Sequence, residues 1–561
     1  MTRLMTPTSA TDEDFDPVSL EIMWSRLISI ADEMWTTVLR TAVSTIIGAA
    51  QDFGCELLDE RGNSLAHSYR SMPVFNLVMP ESTRRMVEIF PVESMCPGDM
   101  FATNDPWMCA GHLDDIAVIT PIFRSGRVVA FANTIAHTSS IGGALDGLRV
   151  RDLHEEGLFI PPLKLYDQGR PNETAFAFIR SNVRQPEMVL TDIESQVTAN
   201  ELAAQRVLAF MDEYRLDTLA NLARVVQSRA EVAMRNAIEA IPDGRYEAEE
   251  WMEGVTGPIP LRAAITVAGD GLHVDYAGSA PQTIAGGISC AFIYTRAHTV
   301  YPLKSILTPR IPSNEGCFRP IQIDAPERSI LNALPPASVN SRTKTGWHLH
   351  TLIFRALSGV LPNRVQAGNG LMYNVRAYAR DAEGTPYHAS IIAGGGRGAG
   401  ADVDGMTRNC YPSSASAVAA EIIENRVPVL IEEDKLMTDS GGRGKWRGSP
   451  GQRMTIRRRP GHDLPVSIFI HPDRLRFPSP GLLGGEPGQK NIVMLNGENL
   501  APDGALTTGE VILADDADRF TALIAGGGGY GPAEEREPAA VKRDVAYGYV
   551  TEDGWRKGNG D

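Results

Sequence analysis

The segment NDPWMCAGHLDDIAVITP carries Asn104, Asp105, His112, Asp114 and Asp115, and His137 follows 25 residues after His112 in NTIAHTSSIGG. Neutral imidazole and carboxylate are the natural ligands of a divalent ion such as Zn²⁺, Mn²⁺ or Fe²⁺. His112 and Asp115 are three residues apart in a loop that can turn both inward. Asp52, in QDFGC, is placed to add an oxygen and to leave one position open for water or substrate. Spacing alone is a weak signal, because H-x-x-D recurs by chance and a histidine beside a glycine turn is commonly a hydrogen-bonded structural residue.

These side chains must be held by elements that the pattern also predicts. Residues 17–50 repeat apolar side chains at three and four spacings, the period of a long amphipathic helix that ends at Gln51-Asp52-Phe53-Gly54. CELLDERGNSLAHS then alternates around Arg61-Gly62-Asn63 as a β-hairpin. Short strands at DMFATND, DIAVITPIF and RVVAFANTIA put His112, Asp115 and His137 at adjoining strand ends. A second helical block is expected from Thr191 to about 241, stopped by Pro242-Asp243-Gly244. Strands return over 245–345 with a hairpin at Gly269-Asp270-Gly271, a helix follows at about 343–360, and strand-like segments alternate with Gly/Pro loops beyond 430. The fold class expected is α+β, a large multidomain chain with mixed β-sheets, long helices in its N-terminal half and a mostly β C-terminal region. The segments would be 1–244, an α+β metal-site domain; 245–430, a central α+β domain; and 431–561, mostly β.

Other motifs exclude more than they suggest. The Gly-rich runs at 393–405, 440–451 and 525–532 invite a nucleotide-loop reading, but Gly444-Lys445 is followed by Trp446, not by the hydroxyl residue of a P-loop. Tight turns and close backbone packing account for them better. No G-x-S-x-G and no H-E-x-x-H occurs. His348 and His350, two apart in a helix, face different sides and read as packing or polar-face residues.

Lys and Arg number 53 against 69 Asp and Glu, a net charge of −16 that disfavours nucleic acid and anionic lipid. The first 17 residues hold four acidic side chains and no apolar run, so no leader is expected and the cytoplasm is the expected compartment. No apolar stretch reaches the ~18 residues of a membrane span. The six cysteines are scattered without a C-x-x-C pair and read as reduced core residues.

The blocks DPVSLEIMWSRLISIADEM, QDFGCELLDERGNSLA, NDPWMCAGHLDDIAVITP, EEGLFIPPLKLYDQGR, NVRQPEMVLTDIESQVTAN, GCFRPIQIDAPERSILNALPPASV, DSGGRGKWRGSPG and AGGGGYGP resemble the hydantoinase B/oxoprolinase family, in the family's order and over essentially the whole chain. That family includes β-type subunits of ATP-dependent N-methylhydantoinases and caprolactamase, the C-terminal half of 5-oxoprolinase, and subunits of acetone and acetophenone carboxylases. The resemblance implies an actin-like, ATP-binding hydantoinase A-type partner that phosphorylates the amide or enolate oxygen of a small-molecule substrate. This subunit would complete the reaction near a metal held by Asp52, His112, Asp115 and His137, with zinc expected before manganese or iron. A hetero-oligomer follows.

Two departures from the family pattern stand out. A second histidine and an aspartate are usual just after the ligand histidine, where this chain has Thr138 and Ser140. The usual N-D-P-Y-x-G-G-T-H-L-P-D is here NDPWMCAGHLDD, so Trp107 and Met108 make the loop bulkier and more apolar. The function expected is ATP-dependent hydrolysis of a cyclic amide, with Glu156 as candidate for proton handling. A ketone carboxylase subunit is the second reading, and a non-catalytic scaffold the third.

Overall fold

The computed structural model describes residues 15–506 and 509–557. The leader expectation rests mainly on residues 1–14, which lie outside the described residues.

The first helix, Pro17–Thr41, starts where Asp16 Oδ1 accepts from the N–H of Val18 and Ser19 at 3.0 and 3.2 Å, with Pro17 at its first position. Its buried face is Leu20, Met23, Trp24, Leu27, Ile30, Met34 and Val38. Each such side chain contributes on the order of 2 kcal/mol when buried, so packing rather than propensity holds this helix. It closes at Thr41, nine residues short of the expected end at residue 50. The N–H groups of Val43 and Ser44 donate to Asp192 Oδ1 at 2.9 and 3.3 Å instead of to helix carbonyls, and Ser44 caps a separate turn, Thr45–Gly48. A tertiary bond has replaced helix propagation.

Seven strands form the principal sheet: β1 (Phe53–Asp59), β2 (Ser64–His67), β3 (Met100–Thr103), β4 (Asp115–Arg124), β5 (Arg127–His137), β6 (Leu163–Asp167) and β7 (Arg170–Pro171). Their order is β2-β1-β5-β4-β3-β6-β7, antiparallel throughout. Both faces are covered, and β4 shows it by period two: Ile116 and Val118 enter one apolar cluster, Ala117 and Ile119 enter others. The helix Pro186–Glu213 is clamped to the sheet by buried amides, since Gln196 Nε2 donates to Ile116 O and Thr134 O, and Asn200 Nδ2 to Val118 O.

That helix begins five residues before the expected Thr191, because Pro186 occupies its first position; Thr191 is internal, its hydroxyl donating to Glu187 O. The block is also two helices, broken before Ala220–Glu239 where Arg215 takes a φ of 55°. Three further sheets follow. One orders Ile321–Asp324, Gly271–Asp275, Pro258–Ala268 and Gly244–Glu253, with the first pair parallel. Another orders Pro386–Gly394, Met372–Arg380, Val466–Phe469 and Glu510–Leu513, and a five-stranded sheet lies in the C-terminal third. The α+β class holds. Within 245–345, however, the chain also builds the helix Phe292–Leu307, which the strand expectation omitted. One apolar cluster runs from Leu20 to Tyr530 and draws on all three expected segments.

The Gly-rich runs pack backbone on backbone. Gly442 N donates to Gly527 O at 2.8 Å, Gly528 N to Gly368 O at 2.8 Å and Gly396 N to Ala525 O at 3.0 Å. A Cβ on Gly527 would stand 2.1 Å from Arg397 O, so no other residue fits there. All six cysteines are free and five are buried. Among the described residues no helix is long and apolar enough to cross a membrane.

Candidate metal centre

Sheet order brings the predicted residues together. In the β4–β5 register Asp115 stands directly opposite His137, which puts both side chains on one face. β1 lies on the other side of β5 and pairs Phe53 with Ala136, while His137 N donates to Asp52 O at 3.0 Å. Asp52, His137 and Asp115 thus form a row across three adjacent strand ends. His112 enters from the loop before β4, turned inward at Gly111. That glycine has a φ of 85°, and a Cβ there would meet Tyr294 and Arg342 at 2.9 Å.

His112 Nε2 lies 2.9 Å from Asp115 Oδ2, and His137 Nδ1 donates to Asp115 Oδ1 at 2.8 Å. Arg342 Nη2 reaches Asp115 Oδ2 at 2.7 Å, its Nε donates to Ala110 O at 2.6 Å, and its guanidinium lies 4.3 Å from the Tyr294 ring centroid. His112 Nδ1 faces Asn340 O at 3.3 Å, the bond that fixes a neutral ring as the tautomer with its lone pair on Nε2. Asp52 lines the same cavity, about 80 Å³ in volume, together with Tyr294, His298, Asn374 and Arg376.

Charge is distributed unevenly among these groups. Burial works against ionising Asp115, but His112, Arg342 and His137 outweigh it and hold the carboxyl below its ordinary range. Burial likewise opposes the charge on His137, yet the Asp115 hydrogen bond and charge raise it to about 9. His112 is lowered, by burial first and then by Arg342. Burial lifts the Asp52 carboxyl to about 6 even with His137 beside it. Without a cation, the contact between His137 and Asp115 thus favours the charged form of both partners.

These residues fit a divalent cation. His112 Nε2 is buried and stands 2.9 Å from Asp115 Oδ2, so an imidazole nitrogen and a carboxylate oxygen are already turned toward one point. Donor atoms of His112, Asp115 and His137 all lie within 4.8 Å of one another. Small rotations reach the roughly 3.4 Å separating ligand atoms of a tetrahedral site with bonds near 2.1 Å. Asp52 stands beside this close group, in the cavity wall.

Glu156 does not line the cavity. It is 3% exposed, at the end of the short turn Leu153–Glu156, and its Oε1 accepts from Ser338 Oγ, Val339 N and Asn340 N at 2.7, 2.5 and 2.8 Å. Burial outweighs these bonds and raises its carboxyl to about 7. It anchors the loop whose Asn340 carbonyl orients His112. The site also contains residues that sequence reasoning missed: Arg342, Tyr294, Asn340 and His298. His298 Nδ1 lies 3.1 Å from His350 Nε2, and His350 Nδ1 2.8 Å from Tyr411 Oη, leaving His298 Nε2 buried and without a partner among the described residues. Burial lowers His298 to about 3, so it is a neutral donor or acceptor in the cavity wall. His348 belongs to a separate buried network with Glu250 and Asp473.

An antiparallel sheet packed between helices, with a His–Asp–His group converging at one end, defines an α+β protein with a candidate metal centre. The chain belongs to the hydantoinase B/oxoprolinase family, whose family model matches residues 16–533. It is 29% identical to a protein named as the B-type subunit of a D-/L-hydantoinase from Pseudomonas sp. (strain NS671), over 96% of this chain and 94% of that one. Its fold is that of the ATP-dependent caprolactamase of Pseudomonas jessenii, with a TM-score of 0.87, 24% identity and coverage of 98% of both chains. Nucleotide-free acetone carboxylase shares it at a TM-score of 0.82 and 18% identity, over 96% of this chain and 79% of that one.

Proposed function

We propose that this chain is the metal-holding subunit of an ATP-dependent hydrolase of cyclic amides of hydantoin, lactam or oxoproline type. It acts on a substrate phosphorylated by an actin-like A-type partner, in a hetero-oligomer in the cytoplasm. The convergence of His112, Asp115 and His137 in one buried group, in a chain of this family, carries the reading. These three residues with Asp52 hold one divalent ion, zinc before manganese or iron. When bound, the ion supplies Lewis acidity, polarising an oxygen placed beside it.

The chain's own residues set the frame for that chemistry. Asp115 accepts from His137 and Arg342 and keeps both rings turned to one point. Asn340 O holds the His112 tautomer, and Glu156 holds Asn340, so Glu156 positions a ligand. His298 Nε2, a neutral imidazole nitrogen with no partner among the described residues, is left to hydrogen-bond the substrate in the cavity. ATP chemistry belongs to the partner, since the Gly-rich runs here are taken up in packing on one another.

Co-expression with an A-type partner, followed by ADP release with hydantoins, lactams and 5-oxoproline, tests the reading. Substrate-dependent turnover without bicarbonate supports it. Strict bicarbonate dependence would replace it with ketone carboxylation, and substrate-stimulated ATP hydrolysis by this chain alone would remove the division of labour.

A further inference from the structure

Arg376 sits where three compartments meet. It lines the cavity of the His–Asp–His group, an outer compartment walled by His137, Thr138, Ser139 and Arg184, and a third walled by Lys344, His471 and Asp473. The strand Met372–Arg380 alternates: Tyr373, Val375 and Ala377 are buried in the core, while Met372, Asn374 and Arg376 line the cavity. Backbone register to Phe469 on one side and Ser390 on the other fixes its Cα within a paired sheet.

Most half-buried or buried arginines here are tied down. Arg342, Arg447, Arg458, Arg474 and Arg536 each have a carboxylate within 3.3 Å. The Arg376 side chain has neither a hydrogen bond nor an ion pair among the described residues. Its charge is offset at a distance by Asp114, whose carboxyl it helps to hold below the ordinary range, but its N–H groups have no acceptor among the described residues, an arrangement that favours an anion or water beside them.

The outer compartment supplies further donors. Thr138 Oγ1 and Ser139 Oγ are buried without a hydrogen-bond partner among the described residues, and Thr138 is 6% exposed. Arg184 lies in the same wall, held by Gly142 O at 2.7 Å. Asp114 is the one carboxylate lining this compartment, set against two guanidinium groups. His388, in the same wall, is lowered to about 4, by burial first and then by Arg376 and Arg184, as a positive local potential requires. Two hydroxyls and two guanidinium groups lining one compartment offer more donors than a single carboxylate can accept and suit the several oxygens of a tetrahedral oxyanion.

We propose that Arg376, with Thr138, Ser139 and Arg184, forms a subsite for the phosphoryl group of an activated substrate whose reacting carbon lies at the His–Asp–His group. The inference rests on the function proposed above and deepens it. It also gives Thr138, where the family usually has a histidine, a task of its own.

Inorganic phosphate is the probe. Calorimetric titration of the full isolated chain at pH 7.5 and low salt should show one site. Arg376→Met should weaken it at least tenfold, Thr138→Val about fivefold, and Arg376→Lys should fall between wild type and Arg376→Met. Arg380→Met, on the same strand, should leave binding unchanged, and thermal unfolding of each variant controls for loss of fold. His112→Ala separates this inference from the metal assignment: phosphate affinity within threefold of wild type is expected whether or not metal is lost. No phosphate binding, or binding indifferent to Arg376→Met but abolished by His112→Ala, would overturn the proposal. Acetate binding as tightly as phosphate would overturn the phosphoryl assignment.

Discussion

Replacing Glu156 with Gln keeps the oxygen that accepts from Ser338, Val339 and Asn340 and removes only the ionisation. In the folded chain the carboxyl is raised from 4.5 to about 7. For an acid so shifted, the folded state holds its proton where the unfolded state has lost it, so this group's contribution is most favourable below pH 4.5 and declines through pH 7. A shift of about 2.5 units corresponds to roughly 3 kcal/mol. Urea unfolding of wild type and Glu156→Gln at pH 4.5, 6 and 8 should therefore show the variant gaining on wild type by up to about 3 kcal/mol as pH rises, most of it between pH 5 and 7. The residue is 3% exposed, so solvent screening removes little of this. A difference that stays constant with pH would refute the burial argument and with it the role of Glu156 as anchor of the 338–340 loop.

Other outcomes follow from the same contacts. Arg342→Met leaves Asp115 without its guanidinium partner and should destabilise the metal-free chain by about 3–5 kcal/mol, as loss of one member of a buried pair does; saturating Zn²⁺ should restore much of this in thermal unfolding, and no restoration would count against a cation at Asp115. Gly527→Ala drives a Cβ to 2.1 Å from Arg397 O and should cost more than the roughly 1–3 kcal/mol typical of overpacking, read as loss of soluble folded protein; wild-type stability would show that the Gly-rich loops can separate. His298→Phe in the co-expressed complex should lower kcat/KM, and an unchanged kcat/KM would remove His298 from contact with the substrate.

Much of the site was legible because its residues cluster in sequence. His112 and Asp115 share a loop, and the strands carrying Asp115 and His137 follow one another, so a hairpin register alone sets them opposite. What pattern could not supply is contact across long sequence separations. Arg342 is 227 residues from Asp115, and nothing in its own segment marks a partner. The helix Phe292–Leu307 escaped because it is buried nearly all round and contains Pro302, so it shows no one-sided apolar stripe. Glu156 read as a turn carboxylate with a chance at catalysis, because a three-pronged grip on residues 338–340 cannot be seen from EEGL. The first helix stops before residue 50 for a similar reason: Asp192, from another helix, accepts from the N–H groups of Val43 and Ser44 just past its end.

Metal content tests the central claim most directly. Wild type, His112→Ala and Asp115→Ala, purified alike and dialysed against trace zinc, manganese and iron, should be measured by elemental mass spectrometry, with circular dichroism confirming the fold. One divalent ion per wild-type chain and less than about a tenth of that in both variants is predicted, since loss of a ligand typically removes most of the affinity of such a centre. Equal metal content in wild type and in both folded variants would contradict the account.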